Sequence, residues 1–178
     1  TPLYSSAASD VYKRQPVDIA VALKDATPRL VTFTVLPGWR LEEIAASLPT
    51  TGLEISPESF TQAANQRYPD LRIMEHIPNG VSLEGMFPPG SYQLERETTA
   101  EELVRFLLNQ RYETLPNVVL NGLEQRGLSL YQGLILASIV QREAVIADEM
   151  PLIASVFHNR LKIPMKLETD PTVQYALG

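Results

Sequence analysis

The sequence predicts an α+β fold in which a small mixed unit precedes a mainly helical one. Three observations carry this. Leu30-Val-Thr-Phe-Thr-Val35 alternates and is rich in β-branched residues, the pattern of a strand. Phe87-Pro88-Pro89-Gly90 forbids a long helix and predicts a turn between short strands. From Thr98 onward, apolar residues instead recur at the 3.6-residue period of helices. With 44% hydrophobic and 20% charged residues, the 178-residue chain can bury a core.

Residues 1–15 stand apart. The string SSAASDVYKRQ has no periodicity and resembles translated adapter or vector sequence, so it is read as a foreign or disordered leader. The α+β unit is expected over residues 16–97. Its strand ends at Pro37-Gly38, and Leu41, Ile44, Ala45 and Leu48 then mark one face of a short helix that Gly52 breaks. Ser56, as N-cap with Pro57 behind it, opens a second helix carrying Phe60, Ala63 and Ala64 inward.

The helical unit is expected over residues 98–178. Thr99 caps a helix through Leu103, Phe106 and Leu107 that ends before Pro116. Ser129-Leu-Tyr-Gln132 is a capping box, serine bonding forward and glutamine back, and predicts a helix from Leu130 to about Ala144. Asp148-Glu-Met-Pro151 starts another, with Met150, Ile153, Ala154, Phe157 and Leu161 on one period. Asp170-Pro171 reads as the N-cap and first turn of a last helix.

A net charge of −6 and a pI near 5 speak against a nucleic-acid partner and are neutral toward an uncharged sugar. Without cysteine there is neither a disulfide framework nor a cysteine-ligated zinc site. The two histidines, His76 and His158, are far apart, so neither a metal nor another cofactor is expected. No run approaches the roughly 20 apolar residues of a membrane span, and no basic-then-apolar leader is present. As written, the chain reads as soluble.

Glu143 is the strongest chemical candidate. Leu136, Ile139 and Val140 lie seven, four and three positions before it, so its carboxylate shares a helix face with an apolar stripe while Gln141 and Arg142 point elsewhere. Partial desolvation disfavours the charged form of a carboxyl, which suits a general acid in glycosidic cleavage. The same position also suits a helix-end glutamate that reaches solvent or pairs with an arginine. A second polar cluster follows, His158-Asn159-Arg160 and then Met165 to Tyr175. Asn159 and Arg160 have the chemistry to bind sugar hydroxyls or orient a carboxylate. Equally, Arg160 suits a helix C-terminal cap.

The segments Leu136-Ala-Ser-Ile-Val-Gln-Arg-Glu143, Ile153-Ala-Ser-Val-Phe-His-Asn-Arg-Leu161 and Met165-Lys-Leu-Glu-Thr-Asp-Pro-Thr-Val-Gln-Tyr175 resemble the signature of the MltG (YceG-like) endolytic murein transglycosylases. Leu83-Glu-Gly-Met-Phe-Pro-Pro-Gly-Ser-Tyr92 is similar to that family's L-E-G-x-x-x-P-x-x-Y segment, and Val35-Leu-Pro-Gly-Trp-Arg-Leu-Glu-Glu-Ile-Ala45 to its strand-to-helix opening. The resemblance covers about residues 30–178 in order and spacing.

The resemblance implies an enzyme that cuts the β-1,4 bond between N-acetylmuramic acid and N-acetylglucosamine inside peptidoglycan strands, without water. It leaves a 1,6-anhydromuramoyl end and limits strand length in cell-wall synthesis. Glu143 falls on the single catalytic glutamate, first acid and then base, unlike glycosidases with two carboxylates. Asn159, Arg160, Glu168, Asp170, Thr172 and Tyr175 fall in the expected substrate-binding set. The first unit would be a LysM-like subdomain guiding glycan strands, followed by the start of the catalytic domain. Implied partners are glycan strands and peptidoglycan synthases. The implied location is the bacterial inner (cytoplasmic) membrane, facing the periplasm or extracytoplasmic space, through an anchor outside this chain.

Three departures from the family pattern stand out. Gln141 replaces the first glutamate of the I-V-E-K-E version, leaving Glu143 the only carboxylate of that motif. Glu168 stands where a glutamine is usual and adds a charge near the site. Family members continue well past the position of Gly178, so the catalytic domain is expected to be incomplete at its C-terminus. Two other classes remain open. One is a hydrolase pairing Glu143 with Asp170 or Glu168 and releasing reducing sugars; the other is a non-catalytic glycan-binding or divisome scaffold. Trp39 suits either sugar stacking or a core, Tyr92 and Tyr175 suit the shaping of a cleft, and Glu84 suits a turn or a substrate contact. His158 reads as a surface residue.

Overall fold

The computed structural model describes residues 29–177. The leader expected over residues 1–15, and the start of the first unit, lie outside the described residues.

The fold is α+β, with a two-stranded antiparallel sheet and seven α-helices among the described residues. Strand β1 (Leu30–Val35) is followed by α1 (Leu41–Ser47), a 3-10 turn (Leu48–Thr50), α2 (Pro57–Ala64) and a second 3-10 turn (Arg72–His76). Strand β2 (Gly90–Glu95) then pairs with β1, setting Phe33 opposite Tyr92 and Val31 opposite Leu94. Helices α3 (Ala100–Thr114), α4 (Asn117–Glu124), α5 (Leu130–Glu143), α6 (Met150–Lys162) and α7 (Asp170–Leu177) complete the chain, with a short 3-10 turn (Ala147–Glu149) before α6.

Local chemistry sets the helix starts. Ser56 Oγ accepts the Ser59 N–H at 3.1 Å. Thr99 with Glu102, and Ser129 with Gln132, close full capping boxes. Each such cap contributes about 1 kcal/mol by satisfying N–H groups that the first turn cannot pair.

Three local expectations need correction. The Pro88-Pro89 segment does not turn between two short strands; it leads irregularly into β2, whose partner is the distant β1. Two successive prolines offer no N–H to a ladder, so pairing starts only at Gly90. The last helix begins with Asp170 itself, so this residue lies in the first turn and does not cap it. Helix α4 has no counterpart among the helices expected from the sequence.

Two apolar clusters hold the structure. The larger one gathers Phe33, Leu48, Phe60, Ile73 and Met86 with Leu103, Val104, Leu107 and Leu108 of α3, all at or below 1% exposure. The smaller consists of Ile139, Val140 and Phe157, with Leu136, Met150, Ile153, Ala154 and Leu167 against it. Helix α5 bridges them, because Leu130 at its start is buried in the first cluster and Ile139 and Val140 in the second. Glu143 is thereby placed at the end of a helix rooted in both.

Candidate functional site

Glu143 is the last residue of α5 and is half-buried, while Gln141 and Arg142 on either side of the stripe are exposed. One turn back, Ile139 and Val140 are 9% and 6% exposed, so the carboxyl stands at the rim of an apolar wall. Among the described residues, no hydrogen bond or ion pair reaches that carboxyl. Helix α5 stops here because Ala144 turns extended while its N–H still bonds Val140 O at 2.9 Å.

The other candidates sit on α6, α7 and the loop between them, and both helices pack on α5. Phe157 of α6 packs with Ile139 and Val140 in that wall. Asn159 is exposed on α6. Arg160, in the last turn, donates from Nη1 to the Leu167 carbonyl, and its own carbonyl accepts the Met165 N–H at 2.9 Å. Arg160 therefore folds the loop back onto α6, where Leu167 joins the second cluster. The next residue, Glu168, is exposed and has a φ of 51°, in the left-handed region that residues other than glycine seldom occupy.

Thr169, immediately before α7, is buried at 5% exposure. Its carbonyl accepts the Thr172 hydroxyl at 2.7 Å, so Thr172 is engaged in the helix start. Asp170 is exposed beside it. Tyr175, 57% exposed, lies under the Arg40 guanidinium, whose Cζ is 4.5 Å from the ring centroid. Arg40 Nη2 also donates to the Tyr175 carbonyl at 3.2 Å. Sequence reasoning did not single out Arg40. It lies in the Val35–Ala45 segment used for the resemblance, but nothing local marks a contact 135 residues away.

Residues of the first unit are largely taken up by structure. Glu84 accepts the Leu41 N–H on both carboxylate oxygens, at 3.2 and 3.1 Å, and so caps α1. Burial raises the Glu84 pKa above the ordinary glutamate value, against the opposing pull of the Leu41 amide; Glu42 and Glu43 raise it further and Arg40 lowers it. Tyr92 donates its hydroxyl to the Pro88 carbonyl at 2.8 Å and meets Phe106 edge-on at 5.5 Å. Burial pushes its phenol up. Trp39 packs half-buried against the first cluster. His158, expected at the surface, is half-buried, with Nδ1 enclosed and unpartnered among the described residues. The reason is its place in α6, one position beyond Phe157.

The arrangement combines one carboxyl on an apolar rim with amide, guanidinium, hydroxyl and aromatic groups on adjoining helices. These are groups that bind polyols and move a proton.

The chain is similar to known proteins. The sequence profile of the YceG-like family matches residues 12–178. An endolytic murein transglycosylase of Bacillus subtilis (strain 168) is 28% identical over 164 residues, covering 86% of this chain and 45% of that protein. One from Streptococcus pneumoniae (strain ATCC BAA-255 / R6) is 29% identical over 169 residues, covering 85% and 30%. The chain thus spans less than half the length of these relatives. A crystallised yceG-like protein of Listeria monocytogenes shares the fold, with a TM-score of 0.70 at 23% identity over 93% of this chain and 59% of that one.

Proposed function

We infer the function from the family to which this chain belongs, the YceG-like family: the chain is part of an endolytic lytic transglycosylase of peptidoglycan. The observation that carries the reading is Glu143, a half-buried carboxyl with no partner among the described residues, at the end of the Leu136, Ile139, Val140 stripe.

In this reading the Glu143 carboxyl gives its proton to the glycosidic oxygen between a muramoyl C1 and the 4-position of the next glucosamine. The C1–O bond breaks and the glucosamine leaves as an alcohol. The carboxylate then takes the proton of the muramoyl 6-hydroxyl as O6 bonds to C1, closing the 1,6-anhydro ring. Glu143 ends protonated as it began, and no water is consumed. The apolar wall favours this outcome by keeping water from competing with O6.

Asn159, Asp170, Glu168 and Tyr175 are exposed and suit direct contacts to sugar hydroxyls and rings. Arg160 and Thr172, engaged by the loop and the start of α7, suit the framing of that surface. Residues 16–97 serve as a LysM-like unit that feeds the strand to residues 98–178. The partners are glycan strands and the synthases that make them, and the place is the outer side of the cytoplasmic membrane. No described helix is long and apolar enough to cross a membrane.

The test is digestion of purified peptidoglycan by the full-length protein, wild type beside Glu143→Gln, with products read by mass spectrometry. Anhydromuramoyl ends from the wild type alone are expected. Reducing ends would replace this reading with a two-carboxylate hydrolase, and binding without release would replace it with a glycan-binding scaffold.

A further inference from the structure

We propose that Arg40 is a positioning residue that holds Tyr175 as a sugar-stacking platform and fastens α7 to the first unit; this rests on the glycan-cleaving reading above. Arg40 stands immediately before α1, its backbone N–H fixed by Glu43 Oε2 at 2.7 Å. Its side chain leaves that unit and reaches α7, with Cζ 4.5 Å from the Tyr175 ring centroid and Nη2 3.2 Å from the Tyr175 carbonyl. The Nε atom is enclosed and makes no hydrogen bond among the described residues, so the stacking and the Nη2 bond are the contacts that tie the group to α7.

The consequence is a restrained but open aromatic ring. Tyr175 remains 57% exposed although the guanidinium lies over its ring. An aromatic surface suits the C–H face of a hexose, and a ring already held in place loses less side-chain freedom when sugar binds. Helix α7 also packs on α5, which ends in Glu143, so the same contact sets the first unit relative to the carboxyl. Loss of such a contact weakens binding and leaves the proton transfers alone, which separates KM from kcat.

The experiment uses the full-length protein and soluble, uncrosslinked glycan strands. R40A is expected to raise KM about tenfold with kcat within about threefold of wild type, and R40K, which lacks the planar fork, to fall between. The double variant R40A/Y175A should be no worse than the worse single one, the sign of a shared interaction. Hydrogen exchange over α7 should rise in R40A while β1 and α2 stay protected. Additive losses, a fall in kcat at unchanged KM, or unaltered α7 exchange would overturn the proposal. If the wild type releases no anhydro ends, the function fails, yet α7 exchange and retention on glycan strands still decide the role of Arg40.

Discussion

Arg111 of α3 donates through Nε to the carbonyl oxygen of Met86, 3.2 Å away, and through Nη2 to that of Gly85 at the same distance. One side chain thus anchors the irregular segment that carries Glu84 and leads into β2. Burial holds the guanidinium below its ordinary pKa, with Tyr92 opposing. Truncation to alanine leaves two carbonyls without their donor. Arg111→Ala should therefore cost about 2 kcal/mol in urea denaturation. Arg111→Lys should recover less than half, because one ammonium cannot serve both carbonyls with a fork's geometry. An unchanged denaturation midpoint in Arg111→Ala would show the segment to be held by its apolar contacts alone.

Phe157 is the largest fully apolar member of the second cluster and the piece that joins α6 to α5. Phe157→Ala is expected to cost about 3 kcal/mol, the usual range for emptying a buried phenylalanine site. Phe157→Leu should cost about 1 kcal/mol, since most of the volume is kept. The wall behind Glu143 loosens with the cavity, so activity of the full-length protein should fall more in the alanine variant than in the leucine one. Thermal denaturation and glycan release, measured on both, check the ranking.

Gly133 of α5 lies against Leu123 of α4. A Cβ built there would come within 2.5 and 2.7 Å of the two Leu123 methyls and 3.2 Å of its Cγ. Alanine would gain about 1 kcal/mol of helix propensity over glycine. The clash, however, requires the whole Leu123 side chain to move, a strain of about 2 kcal/mol. Gly133→Ala should therefore be net destabilising by about 1 kcal/mol. The double variant with Leu123→Ala should remove that strain and show a favourable coupling in a double-mutant cycle.

Glu84 and Asp70 pull the stability profile in opposite directions. The folded state raises the Glu84 pKa, chiefly by burial, so its contribution is fully present below the ordinary value of 4.5 and is lost as pH rises through the folded value. Replacing it by glutamine removes that loss. The stability of wild type relative to Glu84→Gln should fall as pH rises above the ordinary glutamate value of 4.5, read as a difference in Tm. Asp70 behaves the other way. The hydrogen bonds from Arg105 hold its carboxyl below 3.8, so its small contribution is present above that value and disappears in acid. A relative stability of Glu84→Gln that is flat with pH would show the Leu41 amide and Arg40 to offset burial fully.

Several features of the site were readable in advance. The helix carrying Glu143 begins at a capping box and follows a simple period, and both signals act within a few residues. The stripe of Leu136, Ile139 and Val140 is the face that packs on α6, with Glu143 at its rim. By contrast, α4 was missed. It has no side-chain cap at Pro116, a glycine inside it at position 122, and no buried residue. It forms where Leu120 and Leu123 pack against the first cluster, a contact its own eight residues do not announce. His158 was misplaced because the helical period alone did not show how far around α6 the cover extends.

The sequence by itself determined the starts of α2, α3 and α5, the apolar face behind Glu143 and the family to which the ordered motifs belong. Caps and helical periods are interactions between neighbours in the chain, so residue order is enough to specify them. Only the tertiary structure decided that β1 pairs with β2 across two helices, that Leu103, Val104, Leu107 and Leu108 enter the first core, and that Arg40 meets Tyr175. Those contacts join groups far apart in sequence. Each side chain has many sterically equivalent partners until the whole chain is packed and the surrounding atoms select one.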